Sequence, residues 1–283
     1  MIKLDLPAGK YVLAVSGGVD SVVLLDILSK KSDLELIVAH FDHGIRQESS
    51  DDEIFVADLA KKYGLKYESR REDLGESASE DLARKRRYFF LNEIAKKYQV
   101  KLITAHHADD VIETIAINII RGTGWRGLAV MDSDIIRPLT NTTKTEIICY
   151  AKENNLVWHE DITNSNIDYL RNKIRRQTMP LDLDTKKQLL VLWQEQKRLK
   201  NDIERESSDL NQANSQSRYF FIAIDSVVAI ELLRNLTNGL LTRPQLSNLL
   251  YAIKTYAGGK IYDVGSDVKC NFDSRNFTIE LLK

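Results

Sequence analysis

A glycine-rich hexapeptide, SGGVDS, follows an apolar run directly and precedes an amphipathic stretch directly. Two adjacent glycines let the backbone approach a ligand closely and adopt conformations that are closed to other residues. Successive amides of such a turn and of the helix N-terminus form a concave anion site. We therefore predict a phosphate-binding loop made of Ser16, Gly17, Gly18, Val19, Asp20 and Ser21.

Asp20 is the unexpected member of this loop, because a carboxylate beside a phosphate repels it. The conflict disappears if Asp20 holds Mg²⁺ or caps the helix that follows. The loop lacks the lysine of the GxxxxGK(S/T) motif, which argues against ordinary kinase or GTPase chemistry. It also lacks the GxGxxG pattern, which argues against a dinucleotide-binding fold.

A second polar cluster, HHADDVIET at residues 106–114, follows a later apolar run. Asp110 and Glu113 stand three residues apart near the start of a predicted helix and therefore share a face. Acidic residues in a first helical turn often serve only as partners of the helix dipole, which is one interpretation of Asp109. Beside a phosphate loop, Asp110 and Glu113 could instead hold Mg²⁺ or bind a cationic amine.

The histidines and cysteines do not form a recognisable metal site. Four histidines, at positions 40, 43, 106 and 107, suggest zinc, but the HExxH motif is absent and the spacing offers no third ligand of obvious geometry. Cys149 and Cys270 are far apart and belong to no CxxC motif, which argues against a zinc ribbon, an iron–sulfur cluster and a thioredoxin-like dithiol. Lone thiols, no long apolar stretch and no signal-peptide core together predict a soluble cytoplasmic protein with no membrane partner.

The elements that position these residues alternate between strand-like and helix-like segments. The predicted strands are Tyr11–Val15, Leu34–His40, Lys66–Ser69 and Lys101–Ala105. The predicted helices are Val19–Lys30, Asp51–Gly64, Ser79–Tyr98, Asp109–Arg121 and Thr143–Asn154. This alternation indicates βαβ units, hence an α/β fold with a doubly wound, mostly parallel sheet covered on both faces. If the first and fourth strands are neighbours, both polar clusters face one crevice at the carboxyl ends of the strands.

The character of the chain changes beyond Pro180. There we predict a long helix at Thr185–Ser208, a linker at Ser207–Ser217, a strand at Arg218–Ile224, a helix at Pro244–Tyr256 and a hairpin at Lys260–Leu282 around Asp273–Asn276. The expected organisation is a domain at residues 1–180, a long helix and linker at 181–217, and a smaller α+β domain at 218–283.

Bulk charge argues against a nucleic-acid partner, whereas local charge argues for one. Lysine plus arginine number 40 against 41 aspartate plus glutamate, for a net charge of −1. However, RKRR at residues 84–87 precedes three aromatic residues, no acid occurs between Asp168 and Asp182, and RGTGWRG at 121–127 is a flexible cationic loop. Such clusters neutralise phosphates in a salt-sensitive way. The candidate RNA contacts are Arg84, Arg86, Arg87, Arg121, Arg126, Arg171 and Arg175.

These segments resemble a known enzyme family. SGGVDS in this position resembles the pyrophosphate loop of the N-type ATP pyrophosphatases, the PP-loop superfamily. HFDHGIR, EDLARKRRYFFL, TAHHADDVIET with RGTGWRGL, RPL and WHEDITNSNIDYLRNKIR resemble the tRNA(Ile)-lysidine synthetases in particular, in the order of that family and over about residues 11–176. Lys144 and Thr140 depart from the pattern, where arginine and leucine are expected, and we expect both to lie away from the phosphate loop. The C-terminal part is shorter than in many members of this family, which carry a further domain that grips the tRNA.

The resemblance implies an ATP-dependent ligation. Mg²⁺-ATP adenylates the carbonyl oxygen on carbon-2 of the wobble cytidine in the CAU anticodon of tRNA(Ile). The amine of free L-lysine then attacks that carbon, AMP leaves, and lysidine results. Asp20 and Asp110 are then the candidates for Mg²⁺, while Asp110, Glu113 and His107 are the candidates for catalysis and for binding the lysine amine.

The resemblance also bears on organisation. It implies that residues 1–180 form the PP-loop catalytic domain, that the small C-terminal domain assists tRNA binding, and that the chain forms a homodimer. Two other classes of function stay open: a sister enzyme, such as a tRNA thiolase or a small-molecule amide synthetase, and a non-catalytic ATP-dependent RNA-binding module. The first usually needs catalytic cysteines or a glutaminase domain or partner, and the second predicts ATP binding without release of AMP.

Overall fold

The computed structural model describes residues 2–44, 49–75, 79–159, 170–178, 180–214 and 216–282. The chain divides into two compact units, residues 1–197 and 198–283, and the division falls within one long helix. Among the helices of the described residues, none is both long enough and apolar enough to cross a membrane.

The first unit is built from alternating strands and helices. In chain order these are β1 Gly9–Ala14, α1 Val19–Ser29, β2 Leu34–Asp42, α2 Ser49–Lys62, β3 Lys66–Arg71, α3 Glu80–Tyr98, β4 Lys101–Ile103, α4 Ala108–Ile120, a 3-10 turn at Trp125–Leu128, α5 Lys144–Glu153, α6 Leu170–Thr178 and the start of α7 Leu183–Asn214. The four predicted strands and the predicted α/β class are confirmed.

The four strands form a parallel sheet in the order β3-β2-β1-β4. The first and fourth strands are therefore neighbours, which is the condition for the predicted crevice. Because β1 pairs with β2 on one side and with β4 on the other, the winding of the chain reverses between β1 and β4. The loops after these two strands consequently open a crevice at the carboxyl edge of the sheet, where such folds bind ligands.

The two faces of the sheet carry separate cores. Along β1, Leu13 belongs to a cluster that includes residues of α1, α2 and α5, while its neighbour Val12 packs with Phe90 and Leu91 of α3. Successive side chains of a strand point to opposite faces, so an uninterrupted apolar run is what a sheet covered on both sides requires. Helices on both faces hold the strand ends, and with them the crevice, in fixed positions.

The second unit contains the remainder of α7, then α8 Arg218–Ala223, α9 Ser226–Leu236, α10 Arg243–Thr255 and the strands β5 Ile261–Gly265, β6 Val268–Phe272 and β7 Phe277–Leu281. The strands form an antiparallel sheet in the order β5-β6-β7. The predicted hairpin is confirmed as β6–β7, whose turn is held by Asp273 Oδ1 accepting from the backbone N–H groups of Arg275 and Asn276. A further strand, β5, adds to it.

Two predictions for this region are wrong. Arg218–Ile224 is not a strand: Arg218–Ala223 is helical, with the Ser217 hydroxyl accepting from the N–H of Phe220 at the helix start and Phe221 fully buried. The predicted linker at Ser207–Ser217 is also helical as far as Asn214. One of its polar residues is structural: Asn211 is buried, and its Nδ2 donates to the carbonyl of Leu232 over 3.0 Å.

Candidate active site

The loop between β1 and α1 closes on itself through its two serines. The Ser21 hydroxyl donates to the carbonyl of Gly18 over 2.9 Å and accepts from the N–H of Ser16 over 3.1 Å. Gly17 has a φ of +92°, which favours glycine because other residues are strained there. The loop is thus a compact turn at a helix N-terminus, which is the geometry of an anion site.

The N-terminus of α4 lies across the crevice from this loop, and the two meet at His107. Its Nε2 lies 3.5 Å from Asp110 Oδ2 and 3.8 Å from Asp20 Oδ2. Asp110 Oδ2 also accepts from the backbone N–H of His107 over 3.0 Å. The structure therefore brings two predicted site residues, Asp20 of the loop and Asp110 of α4, to the buried imidazole of a third, His107, which caps α4.

Lys144 also reaches the phosphate loop, contrary to expectation. Its Nζ donates to Asp20 Oδ1 over 2.6 Å from the first turn of α5. The resemblance had marked Lys144 only as a departure from the family pattern and placed it away from the loop. The placement is wrong because Thr143 caps α5 beside the crevice, where the N–H of Lys144 donates to Asp109 Oδ2 over 2.7 Å.

Asp109 is a junction between helices rather than only a dipole partner. Besides the N–H of Lys144, it accepts from Nζ of Lys186, a buried residue of α7, over 2.6 Å. Burial by itself raises the pKa of Asp109, but the hydrogen bonds from Lys186 and from the Lys144 backbone outweigh it, and the pKa lies below its usual value. Sequence reasoning missed Lys186, which stands in a polar helix without any motif around it.

Glu113 and Arg175 form an ion pair. Arg175 Nε lies 2.7 Å from Oε1 of Glu113 and Nη2 lies 3.3 Å from Oε2. Glu113 is almost fully buried. Burial alone lowers the pKa of Arg175, yet the bonded Glu113 carboxylate outweighs it and raises the pKa. Glu113, which is predicted to bind the lysine amine, and Arg175, which is predicted to bind RNA, thus form one ion pair.

The predicted arginines of α3 surround an aromatic ring. The guanidinium carbons of Arg84 and Arg87 lie 5.1 Å and 5.6 Å from the ring centre of Tyr88. Arg86 instead lies near Glu72, with 3.8 Å between Nε and Oε2. Burial lowers the pKa of His106 to about 4, and the cations Arg137, Arg84 and Arg87 lower it further against the opposing effect of the Asp110 carboxylate.

The other predicted arginines lie beyond α4. Arg121 is exposed and ends that helix, while the Arg126 guanidinium lies 4.8 Å from the ring centre of Trp125. The side chain of Arg171 lies outside the described residues.

The carboxylates beside the phosphate loop have the donor chemistry that Mg²⁺ binding requires. Among the described residues, no group of three or more His, Cys, Asp or Glu side chains is arranged to hold a metal ion. Mg²⁺ is usually bound by one or two carboxylates together with substrate phosphates and waters, so it does not need such a group. Asp20 and Asp110, which approach the same imidazole nitrogen, supply oxygen donors beside the phosphate loop and fit this pattern.

The chain is similar to known proteins over most of its first unit. A family model described as a PP-loop domain matches residues 2–182. A tRNA(Ile)-lysidine synthase from Pseudothermotoga lettingae is 40% identical over 190 residues, 62% of this chain and 42% of the relative. Another, from Chlorobaculum tepidum, is 38% identical over 193 residues, 63% of this chain and 58% of the relative. The chain thus matches about half the length of these curated relatives.

A solved structure shares the fold. The U34-tRNA thiolase NcsA from Methanococcus maripaludis superposes with a TM-score of 0.57 at 19% identity, over 69% of this chain and 73% of the thiolase. At this identity the likeness concerns the fold alone.

Proposed function

Because this chain belongs to the PP-loop family, we propose that it ligates L-lysine to carbon-2 of the wobble cytidine of tRNA(Ile) with a CAU anticodon, at the expense of ATP. The observation that carries this proposal is the meeting of the phosphate loop with the α4 carboxylates around His107. The similarity to tRNA(Ile)-lysidine synthases supports this reaction over the others of the family. By the same analogy we infer that the protein is cytoplasmic and forms a homodimer. Light scattering of the purified protein tests the oligomeric state.

In the first step, the carbonyl oxygen on carbon-2 of cytidine attacks the α-phosphorus of ATP, and pyrophosphate leaves. The closed loop holds the N-terminus of α1 in place, and the N–H groups at this helix start are donors for the departing pyrophosphate, so little reorganisation is needed when its charge develops. Asp20 and Asp110 would hold Mg²⁺, which neutralises phosphate charge when bound. Lys144, already paired with Asp20, adds a cation at the same edge of the loop.

In the second step, the lysine amine attacks carbon-2, the bond to the AMP oxygen breaks, and the amine loses a proton. Asp110 and Glu113 are the carboxylates that would bind this amine and assist the loss of its proton. His106, neutral near pH 7 because its pKa is about 4, adds no positive charge that would repel the amine. His107 would orient the carboxylates between which it lies.

The RNA would be held by positive residues at the crevice and in the second unit. Arg84 and Arg87 around Tyr88 combine phosphate neutralisation with an aromatic ring on which a splayed base can stack. In the second unit, the charged residues between Glu231 and Asp263 are all basic. Arg243, Tyr251 and Lys254 recur at helical spacing on the exposed side of α10, which makes this side the proposed contact of the C-terminal domain with tRNA.

Cys270 does not fit the role of a nucleophile in thiolase chemistry, the alternative function. Of the two cysteines, Cys270 is buried in the core of the second unit, and burial raises its pKa to about 12. A thiol of this kind is protonated near pH 7 and is a poor nucleophile.

One incubation tests the proposal. The protein is mixed with Mg²⁺-ATP, lysine and an unmodified tRNA(Ile) bearing CAU, and the digested nucleosides are analysed by mass spectrometry while AMP is measured. We expect lysidine and AMP in equal amounts. Intact tRNA and folded protein without lysidine would refute the ligase, and ATP binding without AMP release would favour the non-catalytic module.

A further inference from the structure

The segment that follows α5 is attached to the phosphate loop through the backbone of His159. Its N–H donates to the carbonyl oxygen of Gly17 over 3.0 Å. A trans peptide group points its C=O and its following N–H in opposite directions. A Gly17 carbonyl bonded to His159 therefore turns the N–H of Gly18 to the opposite side, where it donates to Ser16 Oγ within the loop over 3.4 Å.

The side chain of His159 is held at two points by the first turns of α2. Its Nδ1 lies 2.6 Å from Asp52 Oδ1. Its ring stacks on Phe55, with centroids 4.2 Å apart and ring planes 20° from parallel. The side chains of His159 and Asp52 are 40% and 41% exposed, so this arrangement is a surface clamp and not part of a core.

The same helix forms the wall behind Gly17. A Cβ placed on Gly17 would lie 3.5 Å from Phe55 Cδ1 and 3.6 Å from Val56 Cγ2. Helix α2 thus contacts the loop directly through these side chains and indirectly through His159. Both contacts act on one peptide unit of the loop.

We propose that His159 is a positioning residue for the phosphate loop. Asp52 and Phe55 fix its side chain, and its backbone N–H then fixes the Gly17 carbonyl. The Gly17–Gly18 peptide, whose N–H donates to Ser16 Oγ, is thereby held in the orientation in which the loop binds the nucleotide. His159 itself touches neither nucleotide nor tRNA in this proposal. The inference rests on the proposed use of ATP by this loop.

The test separates the two points of the clamp in the full-length protein. His159→Ala removes both contacts, His159→Phe keeps the ring stacking, and His159→Asn keeps a donor for Asp52. Asp51→Asn is the matched control, because Asp51 is an exposed carboxylate of the same first turn of α2. The measurements are the Kd of Mg²⁺-ATP by calorimetry, the KM for ATP and for lysine, and the melting temperature.

We expect His159→Ala to weaken ATP binding about three- to tenfold, the range of one hydrogen bond, with the KM for lysine and the melting temperature unchanged. His159→Phe and His159→Asn should each recover part of the affinity, and Asp51→Asn should bind as the wild type does. Equal ATP affinity in wild type and His159→Ala would overturn the inference, as would a parallel loss of ATP affinity, lysine affinity and melting temperature. A wild-type protein that binds no ATP would instead refute the proposed function.

Discussion

The guanidinium of Arg175 is bound at two points by the carboxylate of Glu113, with separations of 2.7 Å and 3.3 Å. This pair joins α6 to α4 at a buried carboxylate. Sequence reasoning gave the two residues different ligands, an amine for Glu113 and RNA for Arg175. A lysine amine that binds Glu113 must therefore share the carboxylate with Arg175 or displace it.

The first prediction concerns this carboxylate. Glu113→Gln keeps the shape of the side chain but removes its charge, so we expect the KM for lysine to rise and turnover to fall by about tenfold or more, since a hydrogen bond to a charged group contributes about 1.5–3 kcal/mol. Steady-state lysidine formation at varied lysine and ATP measures this, and the KM for ATP is the internal control. An unchanged KM for lysine together with unchanged turnover would show that Glu113 does not bind the amine.

The second prediction concerns the junction at Asp109. Lys186→Met removes the buried ammonium and leaves the carboxylate with the N–H of Lys144 and with the ring of His107 at 3.8 Å, so we expect a loss of roughly 3–5 kcal/mol in the free energy of unfolding. Urea denaturation at pH 7 measures it. Lys187→Met, the same change at the exposed neighbouring residue, should have little effect.

The same junction has a pH dependence of known sign. The pKa of Asp109 is lower in the folded protein than its usual value. Its ionised form therefore adds stability above its unfolded pKa of about 4, and this stability is lost as the pH falls through the folded pKa. We expect wild type and Lys186→Met to converge in stability as the pH falls below 4. A constant difference between them down to the acid transition would contradict the assignment.

The sheet and the phosphate loop could be predicted because their signals are local. The apolar run of β1 supplies buried side chains to both faces of the sheet. The glycine pair at 17–18 indicates a turn by itself, because Gly17 adopts a positive φ. The segment Arg218–Ala223 was misread because aromatic and apolar residues favour a strand by composition. Its helix depends on a serine cap and on a pocket for Phe221 that is built from later residues of the chain.

The side-chain partners could not be predicted because they are distant in sequence. Lys186 meets Asp109, and His159 meets Asp52 and Gly17, only after the sheet has brought α2, α4 and α7 around its carboxyl edge. A lysine in a polar helix is normally exposed, so its burial against a carboxylate has no sequence signal. The crevice was therefore predictable, whereas the contacts that fix its residues were not.

The third prediction concerns the arginines around Tyr88. Arg84→Gln combined with Arg87→Gln should weaken tRNA binding and reduce the slope of log affinity against log salt by about two, one for each lost phosphate contact. Filter binding at several salt concentrations measures both quantities. Lys61→Gln combined with Lys96→Gln removes the same charge from exposed positions of α2 and α3 and should leave the slope unchanged.

The last prediction concerns the exposed side of α10. If Arg243 and Lys254 neutralise phosphates, Arg243→Gln combined with Lys254→Gln should weaken tRNA binding. The slope of log affinity against log salt should fall by about two, because binding releases about one counterion for each phosphate that the protein neutralises. The KM values for ATP and lysine should stay as in the wild type. Lys269→Gln combined with Arg275→Gln removes the same charge from β6 and from the turn between β6 and β7, and serves as the control. Since the whole chain is nearly neutral, its affinity for RNA must come from local patches of this kind. An equal slope in the α10 variant and the control would exclude this side of the helix, and a flat salt dependence of the wild type would exclude phosphate-driven binding altogether.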